Sequence, residues 1–303
     1  MRRFTTVDAL LVMLVLIWGG NFTVVKAVMR EFEPMAFNAI RFSLASVLMA
    51  ALLWWWERDI KIERSDIPRF FPLALIGNVV YQILFIAGIE KTRAGDATLI
   101  LAVTPVVTLL LSILFRTEKI HPYSFLGVIL SFLGVLLVVY ESGGLVTEHA
   151  MNPLLGDLMI FGCVVCWSVY TVRAVPFLKR YGFLKFTTHT MLIGSVFILP
   201  LGIPALVQQD WSRVTWKIWA GLGFSAVGAL VFCYAVWYYA VQKIGNAQTS
   251  VYANLVAPVG LLFAWMFLGE RVGPGHLLGL GVILVGIYLT RKAPHPDTPE
   301  TGT

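Results

Sequence analysis

The chain carries the same landmarks twice, at a nearly constant offset, inside long apolar runs. Pro105 and Pro258 are 153 residues apart. Three further pairs are each 152 residues apart: Glu118 and Glu270, Gly127 and Gly279, and Gly134 and Gly286. An offset that holds through several landmarks indicates internal duplication, so the sequence predicts two fused copies of one structural unit.

The apolar runs are long enough to be membrane spans. Hydrophobic residues make up 58% of the chain and charged residues only 13%, about half the share usual in soluble domains. About ten largely uncharged runs can be counted, and most approach the roughly 20 residues that a helix needs to cross a bilayer. The sequence therefore predicts an all-α integral membrane protein with ten transmembrane helices, five in each copy.

The distribution of basic residues predicts the topology. If the amino terminus is cytoplasmic, fifteen of the 23 Lys and Arg residues fall on the cytoplasmic side and seven on the other. Positive charge accumulates in cytoplasmic loops, so we expect both termini in the cytoplasm and a multi-pass protein of the plasma (inner) membrane. Five helices per copy would then invert the second copy relative to the first. The basic residues are scattered and form no stripe, which argues against a nucleic-acid partner.

The duplication also predicts the domain boundaries. The first repeat is expected over residues 1–140 and the second over 154–290. Residues 141–153, which contain glycine and proline, are expected to form a linker loop. The proline-rich polar segment 291–303 is expected to be a disordered cytoplasmic tail.

Polar and aromatic side chains within the runs are the candidate binding residues, because lipid offers them no hydrogen-bond partner. Trp18 and Asn21 on the first helix have the same spacing as Trp167 and Tyr170 on the sixth. The candidate lining of a central, substrate-binding cavity is Trp18, Asn21, Asn78, Tyr81, Gln82, Thr104, Trp167, Tyr170, Tyr234, Trp237 and Asn254. Such a mixed wall suits a small amphipathic organic solute.

Proline lies within the fourth and ninth predicted helices. Pro105 and Pro258 each remove a backbone hydrogen bond, so each is a candidate hinge, and a simple packing kink is the alternative.

Glycines recur seven residues apart on the fifth and tenth predicted helices. Seven residues make nearly two turns, so each pair presents a smooth stripe for close helix packing. The candidate repeat-packing residues are Gly127, Gly134, Gly279 and Gly286.

Arg41 is the one charged residue about two turns inside the second helix. The sequence leaves two interpretations open: the side chain extends to the lipid headgroups, or it pairs with a carboxylate of a substrate. None of the predicted helices has a carboxylate near its middle, which argues against a proton-coupled cation exporter.

These motifs together resemble the EamA family of the drug/metabolite transporter superfamily over residues 8–290. The motifs are Trp18-Gly19-Gly20-Asn21-Phe22, Arg41-Phe42, Pro105, Pro258, Phe267-Leu268-Gly269-Glu270-Arg271 and the stripe from Gly279 to Gly286. The resemblance implies a ten-helix carrier with cytoplasmic termini, a central cavity lined by helices one, three, four, six, eight and nine, and export of metabolites such as amino acids. The halves differ where Arg116-Thr117-Glu118 stands opposite Leu268-Gly269-Glu270.

The sequence thus favours a secondary transporter that exports a small amino-acid-like or aromatic metabolite by alternating access. A sugar or nucleotide-sugar carrier is the first alternative, and a membrane-embedded enzyme is the second. The five histidines are dispersed, and no nucleophile lies near a base in the sequence, so no catalytic residue is predicted. No metal and no cofactor are expected. The expected partners are a small-molecule substrate and membrane lipids, with a monomer favoured over a dimer.

Overall fold

The computed structural model describes residues 5–29, 31–91, 100–101, 103–117, 121–141, 153–268 and 273–292. Most of the predicted linker (142–152) and of the predicted tail (293–303) lies outside these residues, as do Glu118 and Glu270. Within the described ranges the chain is helical and contains no strand.

Eleven α-helices are present among the described residues. They are α1 (Thr6–Val28), α2 (Pro34–Glu57), α3 (Ile67–Ala74), α4 (Tyr81–Lys91), α5 (Thr104–Leu114), α6 (Pro122–Glu141), α7 (Pro153–Gln208), α8 (Trp216–Gly223), α9 (Cys233–Ser250), α10 (Val256–Leu268) and α11 (Pro274–Lys292). Two π-helical segments, Leu75–Val80 and Phe224–Phe232, join α3 to α4 and α8 to α9. Short 3₁₀ helices occupy Trp211–Arg213 and Val251–Leu255.

Local sequence explains where the first two helices begin. At α1 the Thr5 hydroxyl accepts a hydrogen bond from the Asp8 backbone N–H, and the Asp8 carboxylate accepts one from the Thr5 backbone N–H, forming a capping box. At α2 the Glu33 carboxylate caps the helix and Pro34 occupies the first turn, where a missing N–H does no harm. Arg58, with φ of 57°, ends α2.

Five described stretches are long and apolar enough to cross a membrane, and this confirms the predicted all-α membrane class. They are Thr6–Val25, Pro34–Glu57, Ile67–Ile89, Leu154–Gln208 and Trp216–Gly260. The last two span 55 and 45 residues.

Glycine interrupts both of these long stretches. Gly182 in α7 has φ of 78° and Gly245 in α9 has φ of 82°, in the left-handed region that side-chain-bearing residues rarely adopt. The rings of Phe177 and Phe186, on either side of Gly182, stack with centroids 6.1 Å apart. This contact shows that the chain folds back at Gly182. We call the parts of α7 before and after Gly182 its first and second arms.

The predicted glycine stripes of α6 and α11 face each other. A Cβ atom added at Gly127 would meet the carbonyl of Gly286, and one added at Gly134 would meet the carbonyl of Gly279. The two helices therefore approach closely enough for backbone to contact backbone.

Residues that occupy equivalent positions in the two halves contact each other at three places. Three hydrogen bonds each join residues 152 apart: Ser195 Oγ to Ser43 Oγ at 3.2 Å, Gln82 Nε2 to Tyr234 OH at 3.4 Å, and Ser131 Oγ to the Ile283 carbonyl at 3.4 Å. The two halves of the chain therefore pack against each other through positions that correspond at this offset.

Candidate functional site

A cavity of about 140 Å³ lies between the two halves. Its wall comes from α1, α2, α4, the first arm of α7, the second π-helical segment, α9 and α10, and from residues 101, 104 and 253. Seven of the eleven predicted lining residues belong to this wall: Trp18, Asn21, Tyr81, Gln82, Thr104, Trp167 and Tyr234.

The other four predicted residues are buried behind the wall. Asn78 donates a hydrogen bond to the Tyr170 hydroxyl at 3.5 Å, so these two side chains engage each other. The Trp237 ring packs against Trp18, with centroids 5.5 Å apart. Asn254 is fully buried and does not reach the cavity. These four residues support the cavity wall instead of forming its surface.

Two π-helical segments directly precede polar residues of the wall. The first ends immediately before Tyr81 and Gln82, and the second ends two residues before Tyr234. At an offset of 152 the two segments overlap in position, so each half carries the same irregularity. The wider π turn alters hydrogen bonding along the helix and is frequent at functional sites. Here the Trp18 indole donates to the Ala229 carbonyl within the second segment, at 3.0 Å.

Aromatic rings dominate the middle of the cavity. Trp167 lies at the centre of a cluster of four rings, with its ring centroid 5.9 Å from that of Trp18, 5.5 Å from that of Tyr81 and 5.2 Å from that of Tyr234. Two rings come from each half. Such a wall offers a flat apolar solute edge-to-face or tilted contacts, the geometries that aromatic rings prefer.

Arg41 brings a positive charge to the site, and its position excludes one of the two interpretations left open by the sequence. The side chain is 3% exposed and lines the cavity, so it does not extend to the headgroups. Nη2 donates to Asn38 Oδ1 and to Gln82 Oε1, both at 2.8 Å, and Nη1 donates to Ser225 Oγ at 3.1 Å.

All three acceptors of Arg41 are neutral. Among the described residues no carboxylate pairs with the guanidinium, and Nε has no hydrogen-bond partner. The guanidinium carbon also lies 5.1 Å from the centroid of the Phe37 ring, a cation–π contact that adds no negative charge. The wall of the cavity therefore carries a positive charge that no described carboxylate neutralises.

The two prolines lie in the first turns of helices and not in helix interiors. Pro105 is the second residue of α5. Pro258 is the third residue of α10, and α10 begins directly after the 3₁₀ helix Val251–Leu255. Pro105 leaves the Leu101 carbonyl without its usual donor, and the Thr104 hydroxyl supplies one at 2.6 Å. The helix geometry changes near both positions, and the hinge role of the two prolines stays a prediction.

Several wall residues were absent from the predicted set. Phe22 and Phe85 lie four residues after Trp18 and Tyr81, so the helical period places them on the candidate faces although they are not among the eleven candidate residues. Small wall residues such as Ala229 and Ala257 give no signal in the sequence, because alanine is common on every helix face.

Packed aromatic rings separate the cavity from the end of the molecule that contains Gly182. Tyr170, Tyr238 and Phe186 are mutually in contact, with centroids 5.3 to 5.5 Å apart. Phe70 continues the packing towards this end, 5.8 Å from Phe186 and 4.6 Å from Phe177. All but Phe177 are essentially inaccessible, so these rings close the cavity on this side.

Polar contacts between the halves reinforce this closed end. Asp66 accepts a hydrogen bond from the Tyr181 hydroxyl at 2.6 Å and pairs with Arg180 at 2.8 Å. Lys185 Nζ lies 2.6 Å from Asp59 Oδ2, and this hydrogen bond holds the pKa of Asp59 below its usual value. Together the five side chains tie the loop after α2 to both arms of α7.

Comparison with known proteins places the chain in a family. The model of the EamA-like transporter family matches residues 5–140 and again residues 154–292. An uncharacterized transporter of Archaeoglobus fulgidus is 29% identical over 94% of this chain and 97% of its own length. The uncharacterized transporter YyaM of Bacillus subtilis is 28% identical over 89% of this chain and 88% of its own.

Two further matches bear on solute and fold. A protein of Streptantibioticus cattleyicolor, described as a probable terminal-alkyne amino-acid exporter, is 27% identical over 93% of this chain and 92% of its own length. A solved crystal structure matches 94% of this chain and 96% of its own with a TM-score of 0.75. At 14% identity this likeness concerns the fold alone.

By class, then, the chain is a membrane transporter. It belongs to the EamA-like transporter family, which confirms the family indicated by the sequence motifs.

Proposed function

We propose that the protein is a secondary transporter that exports a small amino-acid-like or aromatic metabolite across the plasma membrane by alternating access. The observation that carries the proposal is the cavity between the halves. Trp18 and Tyr81 of the first half and Trp167 and Tyr234 of the second enclose the same space. A solute held there changes sides when one half rocks against the other.

The proposed architecture has ten membrane helices in two inverted repeats. Ten membrane crossings result if Gly182 and Gly245 each divide a long stretch into two helices. The count also requires that each π-helical segment joins its two flanking helices into one crossing. The contacts of α6 and α11 support inversion. These helices are equivalent, and Gly127 faces Gly286 whereas Gly134 faces Gly279, so they run antiparallel. An even number of crossings places both termini on one side of the membrane, and the distribution of Lys and Arg favours the cytoplasm. A monomer among lipids is part of the proposal.

The size of the cavity supports a small solute. About 140 Å³ is close to the volume of an apolar cavity that accommodates one benzene molecule. Pockets for drug-sized ligands are at least about twice as large. This space favours a solute with one small ring or a short apolar chain over a nucleotide-sugar.

Uptake by proteoliposomes across a panel of amino acids and aromatic metabolites tests the proposal. We expect counterflow of at least one solute by the wild-type protein. Ala257→Phe adds a ring to the cavity wall and should abolish that counterflow. Ala51→Phe, the matched control, adds the same ring to an exposed face of α2 and should leave it intact.

Two results would contradict the proposal. One is the absence of counterflow for every solute of the panel. The other is equal counterflow by the Ala257→Phe and Ala51→Phe proteins, which would place the transport path outside the cavity.

A further inference from the structure

We propose that Arg41 forms the binding site for the carboxylate of the transported solute. This inference rests on the proposed transport function and deepens it, because it assigns a chemical class to the substrate: small carboxylic acids with an aromatic or apolar body. The site consists of the Arg41 guanidinium, the Asn21 side chain that lines the same cavity, and the aromatic rings around Trp167.

Two N–H groups of the Arg41 guanidinium have no acceptor among the described residues. A guanidinium has five N–H groups, and three of them donate to Asn38, Gln82 and Ser225. Nε is buried without an acceptor. Because these three acceptors are neutral side chains from both halves, they hold the guanidinium in place without neutralising it.

The charge balance of the wall points to an anion. Arg41 is the only charged residue among the described residues of the wall, and no described carboxylate pairs with it. At an offset of 152 the second half has Ile193 in the equivalent position, so the cavity has one cation and not two. One carboxylate would neutralise the site, and arginine is especially suited to bind that group.

The remaining wall determines what the carboxylate is attached to. Trp18, Tyr81, Trp167 and Tyr234 surround the space next to the guanidinium with aromatic surface. Asn21 lines the same space, and its buried Oδ1 has no partner among the described residues. A flat ring of about the size of benzene, with a carboxylate attached, matches this combination.

Binding to the purified full chain in lipid nanodiscs tests the inference by calorimetry. The probes are benzoate, the neutral isostere benzamide, and phenylalanine, which carries a carboxylate and an ammonium group. We expect benzoate to bind at least about tenfold more tightly than benzamide, in line with the net contribution of a hydrogen bond to a charged group. Comparable binding of phenylalanine would identify a zwitterionic substrate, and much weaker binding a monoanion.

Gln82→Glu is the decisive variant because it retains the arginine. The new carboxylate would lie within hydrogen-bond distance of Nη2 and neutralise the guanidinium from within the protein. We expect benzoate to bind about 10- to 100-fold more weakly and benzamide to bind unchanged. Arg41→Gln should have the same selective effect. Arg173→Gln, which removes an exposed arginine on the first arm of α7, is the control and should alter neither affinity.

Three results would overturn the inference. They are equal affinity for benzoate and benzamide, no binding of either benzoate or phenylalanine, and an equal loss of affinity for benzoate and benzamide in the Gln82→Glu protein. The transport assay distinguishes its failure from failure of the proposed function. If Arg41→Gln leaves counterflow unchanged, the proposed carboxylate site is wrong but the proposed transport function is not. If benzoate binds but no solute shows counterflow, the proposed transport function is wrong but the carboxylate site is not.

Discussion

Two glycines of α11 allow the packing of the halves to be tested with a matched pair of substitutions. A Cβ atom at Gly286 would meet the side chain of Ser131, lie 2.7 Å from the backbone nitrogen of that residue, and press against the Gly127 carbonyl. A Cβ atom at Gly281, on the same helix, would have no atom within 4 Å. Because the gain in helix propensity is the same for both, the difference between the two alanine variants isolates the packing contact.

The expected difference follows from the cost of overpacking. Backbone atoms of α6 have to move to accommodate the methyl group of Gly286→Ala, which costs about 1 to 3 kcal/mol. At roughly 2 °C per kcal/mol for a chain of this size, Gly286→Ala should unfold about 2 to 6 °C below Gly281→Ala. Thermal unfolding in detergent, followed by tryptophan fluorescence, measures the difference. Equal midpoints for the two variants would refute the close contact of α6 and α11.

Two further substitutions test individual polar contacts by the same thermal assay. Thr104→Val removes the hydroxyl that serves the Leu101 carbonyl freed by Pro105, so we expect a loss of about 1 to 3 kcal/mol, whereas Thr104→Ser should retain most of the stability. Asp66→Asn weakens the bond from Tyr181 and the ion pairs with Arg69 and Arg180 and should destabilise by about 1 to 3 kcal/mol. Tyr181→Phe removes the bond to Asp66 and a longer one from the Glu63 backbone N–H but leaves both ion pairs intact, so it should cost less.

The class of the protein could be predicted because the decisive signal is local. Uncharged runs of about 20 residues specify membrane helices regardless of how the helices later pack. The family motifs also lie within short segments. What these signals do not contain is the depth of a side chain within the bundle, which depends on all the neighbouring helices.

Asn78 illustrates where the helical period fails. A constant period of 3.6 residues places it on the face of Tyr81 and Gln82. The residue lies within the π-helical segment Leu75–Val80, where each turn holds more residues and the phase shifts. Asn78 accordingly bonds Tyr170 behind the wall, whereas Tyr81 and Gln82 reach the cavity.

Arg41 shows a different limit. An arginine two turns inside a helix is compatible with either the membrane surface or the protein interior, and its own helix does not decide between them. The deciding contacts come from Gln82 and Ser225, which are 41 and 184 residues away in sequence. The side-chain direction is thus a tertiary property, although the presence of the charge is visible in the sequence.

Accessibility of the cavity from the two sides of the membrane tests alternating access most directly. Ala253→Cys in a background without the three native cysteines places a thiol on the cavity wall, and Leu137→Cys places one on an exposed face of α6. An impermeant thiol reagent is applied to oriented vesicles from one side at a time. We predict that the cysteine at 253 reacts from both sides and is protected by a bound solute, whereas the cysteine at 137, on the outer surface of an apolar helix, shows no solute-dependent reaction from either side. Reaction from one side only, with and without solutes, would contradict it.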